Sequence, residues 1–196
     1  TPHVDSKENK VNKFFSEQYS FDSNTEDGGN LWFQIFFSNM GMKNGRAALL
    51  VNFTPPGGKK VTTRQLFDAG KWSHSVESGK LTITLGKSTF SGDGMVWNAH
   101  LVTKEFVADT TITNTVPAWR PGGGMAYYGK GKKSYFGVTL LTPRGRFEAT
   151  VKSDTAGEHA LTGLTYGDHS VINIPPNLQS HRWVKLRKVG KRKTVM

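Results

Sequence analysis

The sequence LWFQIFFSN at residues 31–39 is the longest aromatic-rich run in the chain, and it decides the fold class. Side chains of a β-strand alternate between its two sides. One face of this run is wholly apolar and predicts packed core. The other face mixes rings with two polar groups and predicts a pocket wall, or else a central strand whose Gln34 bonds to a neighbour. The apolar face holds Leu31, Phe33, Ile35 and Phe37, and the mixed face holds Trp32, Gln34, Phe36 and Ser38.

Short runs with two-residue alternation recur along the rest of the chain. Gly- and Pro-containing turns separate them, for example at residues 91–94, 143–145 and 175–176. No stretch of a dozen residues keeps the spacing of an amphipathic helix. Many short strands joined in this way are typical of a sandwich or a barrel, and closing a barrel removes the free sheet edges. The sequence therefore predicts an all-β protein, an antiparallel barrel of about eight to ten strands with little helix.

The longest interval without a strand pattern is PAWRPGGGMAYYGKGKK, residues 117–133. Loops of this length in compact domains are often functional. The interval holds Trp119, Tyr127 and Tyr128 beside Arg120 and three lysines, so it is interpreted as a lid at the mouth of the barrel. Its glycines do not have the spacing of a phosphate-binding loop. The alternative is an ordinary exposed loop.

The composition excludes several kinds of site. The chain has no cysteine, which rules out disulfides, Cys-ligated zinc and thiol nucleophiles. Its six histidines lack the spacing of a metal site, and no serine lies in a G-x-S-x-G turn. We therefore predict no metal and no cofactor. Acid–base chemistry by a single carboxylate or histidine stays open, with no catalytic residue assigned.

The protein is basic, with a formal net charge of +11, and the charge is uneven. Residues 182–196 contain seven basic residues and no acid. Such a tail suits an anionic partner, either lipid or nucleic acid. The alternative is a solvated terminus. The predicted organisation is an N-terminal arm at 1–20, a single barrel at 21–187 and a basic tail at 188–196.

Several short motifs together resemble the calycin-like family of AttH proteins, hydroxyneurosporene synthases and survival-factor lipocalins. They are SYF at 134–136, RGRF at 144–147, LTGLTYGDH at 161–169 and HRW at 181–183. The strand at 31–39 resembles the opening W-x-Q-I strand of that family, and the likeness covers roughly residues 20–187. The positions that match the family pattern are Gly163, Tyr166, Asp168, His169, Arg182 and Trp183.

This resemblance implies a lipocalin-like barrel that holds long apolar molecules. Members of the family carry lipids, hydrate carotenoids or cyclise polyketide-derived chains, and they usually contain two barrel halves. The chain has the length of one half, so we expect a homodimer or a second barrel half as partner. On alternation, Tyr166 and Asp168 face away from His169. Asp168 is predicted to be structural, accepting bonds from the backbone or from Arg182.

Three functions follow from these observations. The first is binding of a hydrophobic small molecule (lipid, isoprenoid or polyketide-like) in the barrel cavity. The second is a cofactor-free isomerase, hydratase or cyclase acting in the same cavity. The third is a structural protein whose basic tail meets an anionic surface. The residues predicted to bind the ligand are Trp32, Gln34, Phe36, Trp97, Trp119, Tyr127 and Tyr128.

Overall fold

The computed structural model describes residues 2–4, 6–39, 45–129, 131 and 133–174. Within these ranges the chain has one short α-helix and a single antiparallel sheet. None of the described helices is long and apolar enough to cross a membrane. The elements are α1 (Lys7–Val11), β1 (Phe15–Asn24), β2 (Asn30–Ser38), β3 (Ala47–Thr54), β4 (Val61–Phe67), β5 (Trp72–Glu77), β6 (Lys80–Leu85), β7 (Ser88–Gly92), β8 (Val96–Val102), β9 (Phe106–Asn114), β10 (Met125–Tyr128), β11 (Ser134–Ser153) and β12 (Gly157–Asn173).

The strands form a nearly closed barrel, which confirms the predicted fold class. Their order is β4-β3-β2-β1-β12-β11-β9-β8-β7-β6-β5, with β10 paired to β11 outside this path. The end strand β5 reaches the β2–β3 part of the sheet through Trp72. Its indole nitrogen donates to the carbonyl of Gly45 at 2.8 Å, and its ring lies 4.6 Å from that of Phe37.

The sheet has twelve strands, more than the eight to ten expected from the sequence. The additional ones are β5, β7 and β10, which are only four to six residues long. The segment 143–145, predicted as a turn, is instead a bulged stretch inside β11. There the register with β12 shifts on both sides of Thr142, which bends the strand without ending it.

The apolar face of β2 lies in the barrel core, as its alternation predicts. Phe33 and Phe37 have no exposed surface, and the rings of Phe21 and Phe33 stack at 5.2 Å. Across the interior, Phe90 and Trp97 lie parallel with their centroids 5.2 Å apart. Aromatic pairs at such distances add to the free energy gained by burial. The interior is therefore filled largely by rings.

Two glycines of β12 allow β1 to approach closely. A Cβ atom on Gly167 would lie 2.5 Å from the ring of Phe21, and one on Gly163 would lie 2.1 Å from the carbonyl oxygen of Asn24. Neither position can carry a side chain without a shift of its neighbours. Gly163, which belongs to the family-like motif, thus has a packing role where β12 lies against the end of β1.

The residues before β1 fold onto one end of the barrel, and we call residues 2–14 the arm. Asn39 donates through its side-chain nitrogen to the carbonyls of Asn9 and Asn12, at 2.7 and 2.9 Å. The hydroxyl of Tyr135 on β11 donates to the side chain of Asn9 at 2.7 Å. β1 begins at Phe15, inside the range 1–20 that the sequence assigns to an arm.

Candidate functional site

The motif residues Asp168 and His169 on β12 open onto two different environments. β12 is a regular strand here, so adjacent side chains point to opposite sides. Asp168 lies on the outside of the barrel with Tyr166. His169 lies on the inside, against Tyr19 and Glu17. This is the arrangement that alternation predicts.

On the outside, β12, β1 and β2 align their outward side chains in cross-strand rows, which together we call the outer face. Rings occupy both ends of this surface, and polar side chains occupy its middle. Residues that are directly paired on neighbouring strands share a face of the sheet. The pairing of β1 with β12 and with β2 therefore defines three rows. The first is Tyr166–Asp22–Trp32, the second Asp168–Ser20–Gln34 and the third Ser170–Gln18–Phe36.

Apolar residues extend the outer face in both directions. On β3 and β4 the three rows continue as Asn52–Thr62, Leu50–Arg64 and Ala48–Leu66, and Leu66 is 51% exposed. On β11 they continue to Val138 and Leu140. Leu140 also exchanges two backbone hydrogen bonds with Trp119, at 2.7 and 2.9 Å, which places Trp119 in the row of Asp168. The outer face therefore has apolar residues on both sides of its polar centre, together with polar residues on β3 and β4.

The polar centre contains groups whose hydrogen-bonding capacity is not used up. Burial raises the pKa of the Asp168 carboxyl, and this outweighs the opposing effects of the Tyr166 hydroxyl bond and the His169 charge. Burial, followed by the Asp168 charge, raises the pKa of Tyr166 to about 12. The hydroxyl of Ser170 is buried without a hydrogen-bond partner among the described residues. Gln34 donates to Gln18 at 3.0 Å.

Inside the barrel, Glu17 is a carboxylate with no exposed surface. Its Oε1 atom lies 2.7 Å from Nε2 of His169, which donates to it, and 3.4 Å from the Tyr19 hydroxyl. The backbone N–H groups of His3 and Val4, from the arm, donate to Glu17 at 2.8 to 3.0 Å. A buried carboxylate requires such donors because its desolvation is costly.

The imidazole of His169 lies between two other rings. It stacks on Tyr19 with centroids 4.4 Å apart and on His3 at 5.8 Å. Burial lowers the pKa of His3 despite the opposing charge of Glu17. Burial also raises the pKa of Tyr19 well above its usual value, and the Glu17 charge adds to this. The cluster of Glu17, Tyr19, His169 and His3 was not predicted.

The predicted ligand-binding residues divide into three groups in the structure. Trp32, Gln34, Phe36 and Trp119 share the outer face, whereas the sequence analysis placed the first three around a cavity inside the barrel and Trp119 on the lid at its mouth. Trp97 is 4% exposed and lies in the ring-filled interior. The sheet therefore separates it from these four residues. Tyr127 is 55% exposed and lies near Tyr135 and the arm, and Tyr128 is half-buried.

Some predicted residues lie outside the described part of the chain. They include Arg182 and Trp183, so the expected bond between Arg182 and Asp168 stays a prediction, and so does the role of the basic tail. Among the described residues, no group of three or more His, Asp or Glu side chains could hold a metal ion.

Comparisons with known proteins bear on the fold. No protein-family model matches the chain, and no curated protein matches it. A crystal structure of a Nitrosomonas europaea protein assigned as AttH superposes with a TM-score of 0.63 at 16% identity, covering 85% of this chain and 54% of that one. Kievitone hydratase from Nectria haematococca superposes with a TM-score of 0.53 at 12% identity, covering 86% and 51%.

These two neighbours confirm the lipocalin-like fold that the motifs imply. At such identities the likeness concerns the fold alone. The chain spans about half the length of each of the two proteins.

The geometry around Glu17 predicts a large effect of a small substitution. Glu17→Gln keeps the size of the side chain but leaves donors of His3, Val4 and His169 without a charged acceptor. Hydrogen bonds to a charged group contribute about 1.5–3 kcal/mol each, so the variant should be less stable, and we expect the arm to be released. Urea unfolding would measure the free energy, and limited proteolysis would detect cleavage within the arm. The matched control is the exposed Glu148→Gln, and equal stability of the two variants would contradict the prediction.

Proposed function

We propose that this protein binds a small, largely apolar molecule against its outer face. The observation that carries the proposal is the combination of half-buried rings with an incompletely satisfied polar centre. Ligand sites characteristically have such a composition, an apolar surface with a few polar groups that fix the orientation. The fold supports the proposal, because kievitone hydratase shares it. That enzyme is named for a small organic substrate.

Each part of the outer face has a distinct role in this proposal. Trp32, Phe36 and Trp119 supply apolar area, which contributes about 25 cal/mol per Å² removed from water. Asp168 and Ser170 present hydrogen-bonding groups at the centre, so the ligand carries at least one polar substituent there. Strands lie about 4.8 Å apart, so Trp119 and Gln34 each lie about 10 Å from Asp168. A ligand of two or three fused rings or an isoprenoid chain spans that distance.

The outer face would be covered by a second barrel, and the ligand would lie between the two. A broad apolar sheet face is a typical protein-protein contact, since water contact with such a surface is unfavourable. Exposed Leu66, Leu164 and Tyr166 lie on this face. Because the two structural neighbours are about twice as long as the matched region, the partner is either a second copy of this chain or a barrel half that resembles it.

A second candidate function is proton transfer to the bound molecule, as in a cofactor-free hydratase or isomerase. The specific observation is the position of Asp168 on the outer face, where burial raises the pKa of its carboxyl. A protonated carboxyl beside an apolar ligand can donate its proton to a carbon–carbon double bond, after which water adds to the cation and returns a proton to the carboxylate. The Tyr166 hydroxyl would hold Asp168 in position. Contact of the basic tail with an anionic surface stays a separate proposal.

Ligand binding is tested by titration with an uncharged fluorescent long-chain ester. Trp32→Ala should weaken binding about tenfold or more, because it removes a large area of the site. Met95→Ala serves as the control, since Met95 is 49% exposed and lies outside the outer face. Failure of the wild-type protein to bind the ester, or equal binding by both variants, would show that the outer face is not the site.

The partner is tested by light scattering across a range of protein concentrations. Leu66→Glu places a charge on the apolar face, and it should shift a dimer toward monomer, because burying an unpaired charge is costly. Val76→Glu, at an exposed site of β5 away from this face, is the matched control. A wild-type protein that is monomeric at every concentration would exclude the homodimer and leave a separate barrel half as partner.

Proton donation by Asp168 predicts an unusual pH dependence of stability. A carboxyl whose folded pKa is raised favours the folded state below its unfolded value of 3.8, and this contribution is lost as pH rises through the folded value. Asp168→Asn stays neutral, so it should raise the melting temperature relative to wild type at pH 7 and lose that advantage below pH 4.

The same variant should abolish any hydration of long-chain alkenes, detected by mass spectrometry as the gain of one water. Asp154→Asn, in an exposed turn, is the control for both measurements. An Asp168→Asn variant less stable than wild type at pH 7 would argue for the structural role instead.

A further inference from the structure

We propose that a recess on the opposite side of β12 is a second binding site, which takes a small oxyanion such as a carboxylate or phosphate group. The recess lies at the barrel end that the arm closes, and the sheet separates it from the outer face. Its volume is about 70 Å³. Its walls are built by the arm, by residues 120–125 and by the inner side of β11 and β12. Residues that line it include His3, Arg120, Gly124, Met125, Thr139 and His169.

The guanidinium of Arg120 is placed at the recess by its neighbours. The stem of Arg120 packs directly over Gly124, where a Cβ atom would lie only 2.3 Å from Cδ of the arginine. Nε donates to the hydroxyl of Thr139 at 3.1 Å. The two terminal nitrogens form no hydrogen bond or ion pair with a described residue. They are therefore available as the planar, two-pronged donor that carboxylate and phosphate groups fit.

The imidazole of His169 lines the other side of the recess. Its Nε2 is committed to Glu17, whose charge also receives the arm N–H groups and the Tyr19 hydroxyl. The other ring nitrogen, Nδ1, donates to a bound anion in the protonated form of the ring. Glu17 is not among the residues that line the recess.

The dimensions of the recess limit what it can bind. About 70 Å³ holds a single small anion or the anionic end of a larger molecule. Val171 and Met125 contribute apolar surface, which suits the short carbon stem of a carboxylate. His3 lies on the arm, so the site is complete only while the arm is docked. Binding of an anion should therefore strengthen the attachment of the arm to the barrel.

The proposal is tested by nuclear magnetic resonance of the histidine rings during titration with sodium acetate and, separately, inorganic phosphate. Sodium chloride keeps the ionic strength constant. We expect saturable shifts of the His169 and His3 ring signals with at least one of the two anions. Arg120→Gln should weaken that binding about tenfold, the loss expected for charge-assisted hydrogen bonds. Arg144→Gln removes the same charge at an exposed position away from the recess and should leave affinity unchanged.

Two further measurements distinguish a free anion from the anionic group of a larger molecule, and specific binding from a general effect of charge. Octanoate binding more tightly than acetate would indicate an anionic group on a longer apolar molecule, and equal affinity would indicate a free small anion. Arg120→Lys keeps the charge without the planar fork and should recover only part of the affinity. The proposal is overturned if neither acetate nor phosphate gives a saturable shift, or if Arg120→Gln and Arg144→Gln bind equally.

Discussion

The buried carboxylate of Glu17 ties together parts of the chain that would otherwise meet only through apolar contact. It lies on β1, it accepts a hydrogen bond from His169 on β12, and it accepts two backbone groups from the arm. Removing a charge from water is unfavourable unless such partners replace the water. Glu17 thus needs the N–H groups of the docked arm as hydrogen-bond donors. In this docked position the arm forms one wall of the recess.

One strand supplies both proposed sites, because consecutive residues of β12 face opposite sides of the sheet. Asp168 belongs to the outer face, and His169 belongs to the inner recess. The two residues nevertheless affect each other, since the charge of His169 opposes the burial effect on the pKa of Asp168. A charged ligand bound near His169 on one side of the sheet can therefore change the pKa of Asp168 on the other side.

The fold was predictable from the sequence wherever alternation was strong. The core face of β2, the antiparallel barrel and the opposite orientations of Asp168 and His169 followed from it. The alternation of apolar and polar residues assigns side chains to the two faces of a strand. It does not show which face lies inside the barrel. For this reason the rings of Trp32 and Phe36 were placed around an interior cavity, while Trp97, on another strand, was not recognised as core. Glu17 was missed, although FSEQYSF places one carboxylate among aromatic residues on a single face, which is the signal that could have found it.

The bulge in β11 has a mechanical consequence. Beyond it, the strand bonds to β9 and contributes Phe147 to the core, and before it, the strand bonds to Trp119 and to β10. The segment over the recess and the core of the barrel thus share one continuous backbone. A displacement of Trp119 would be transmitted along β11 as a change of twist at Thr142, and we expect the two regions to open and close together as one cooperative unit.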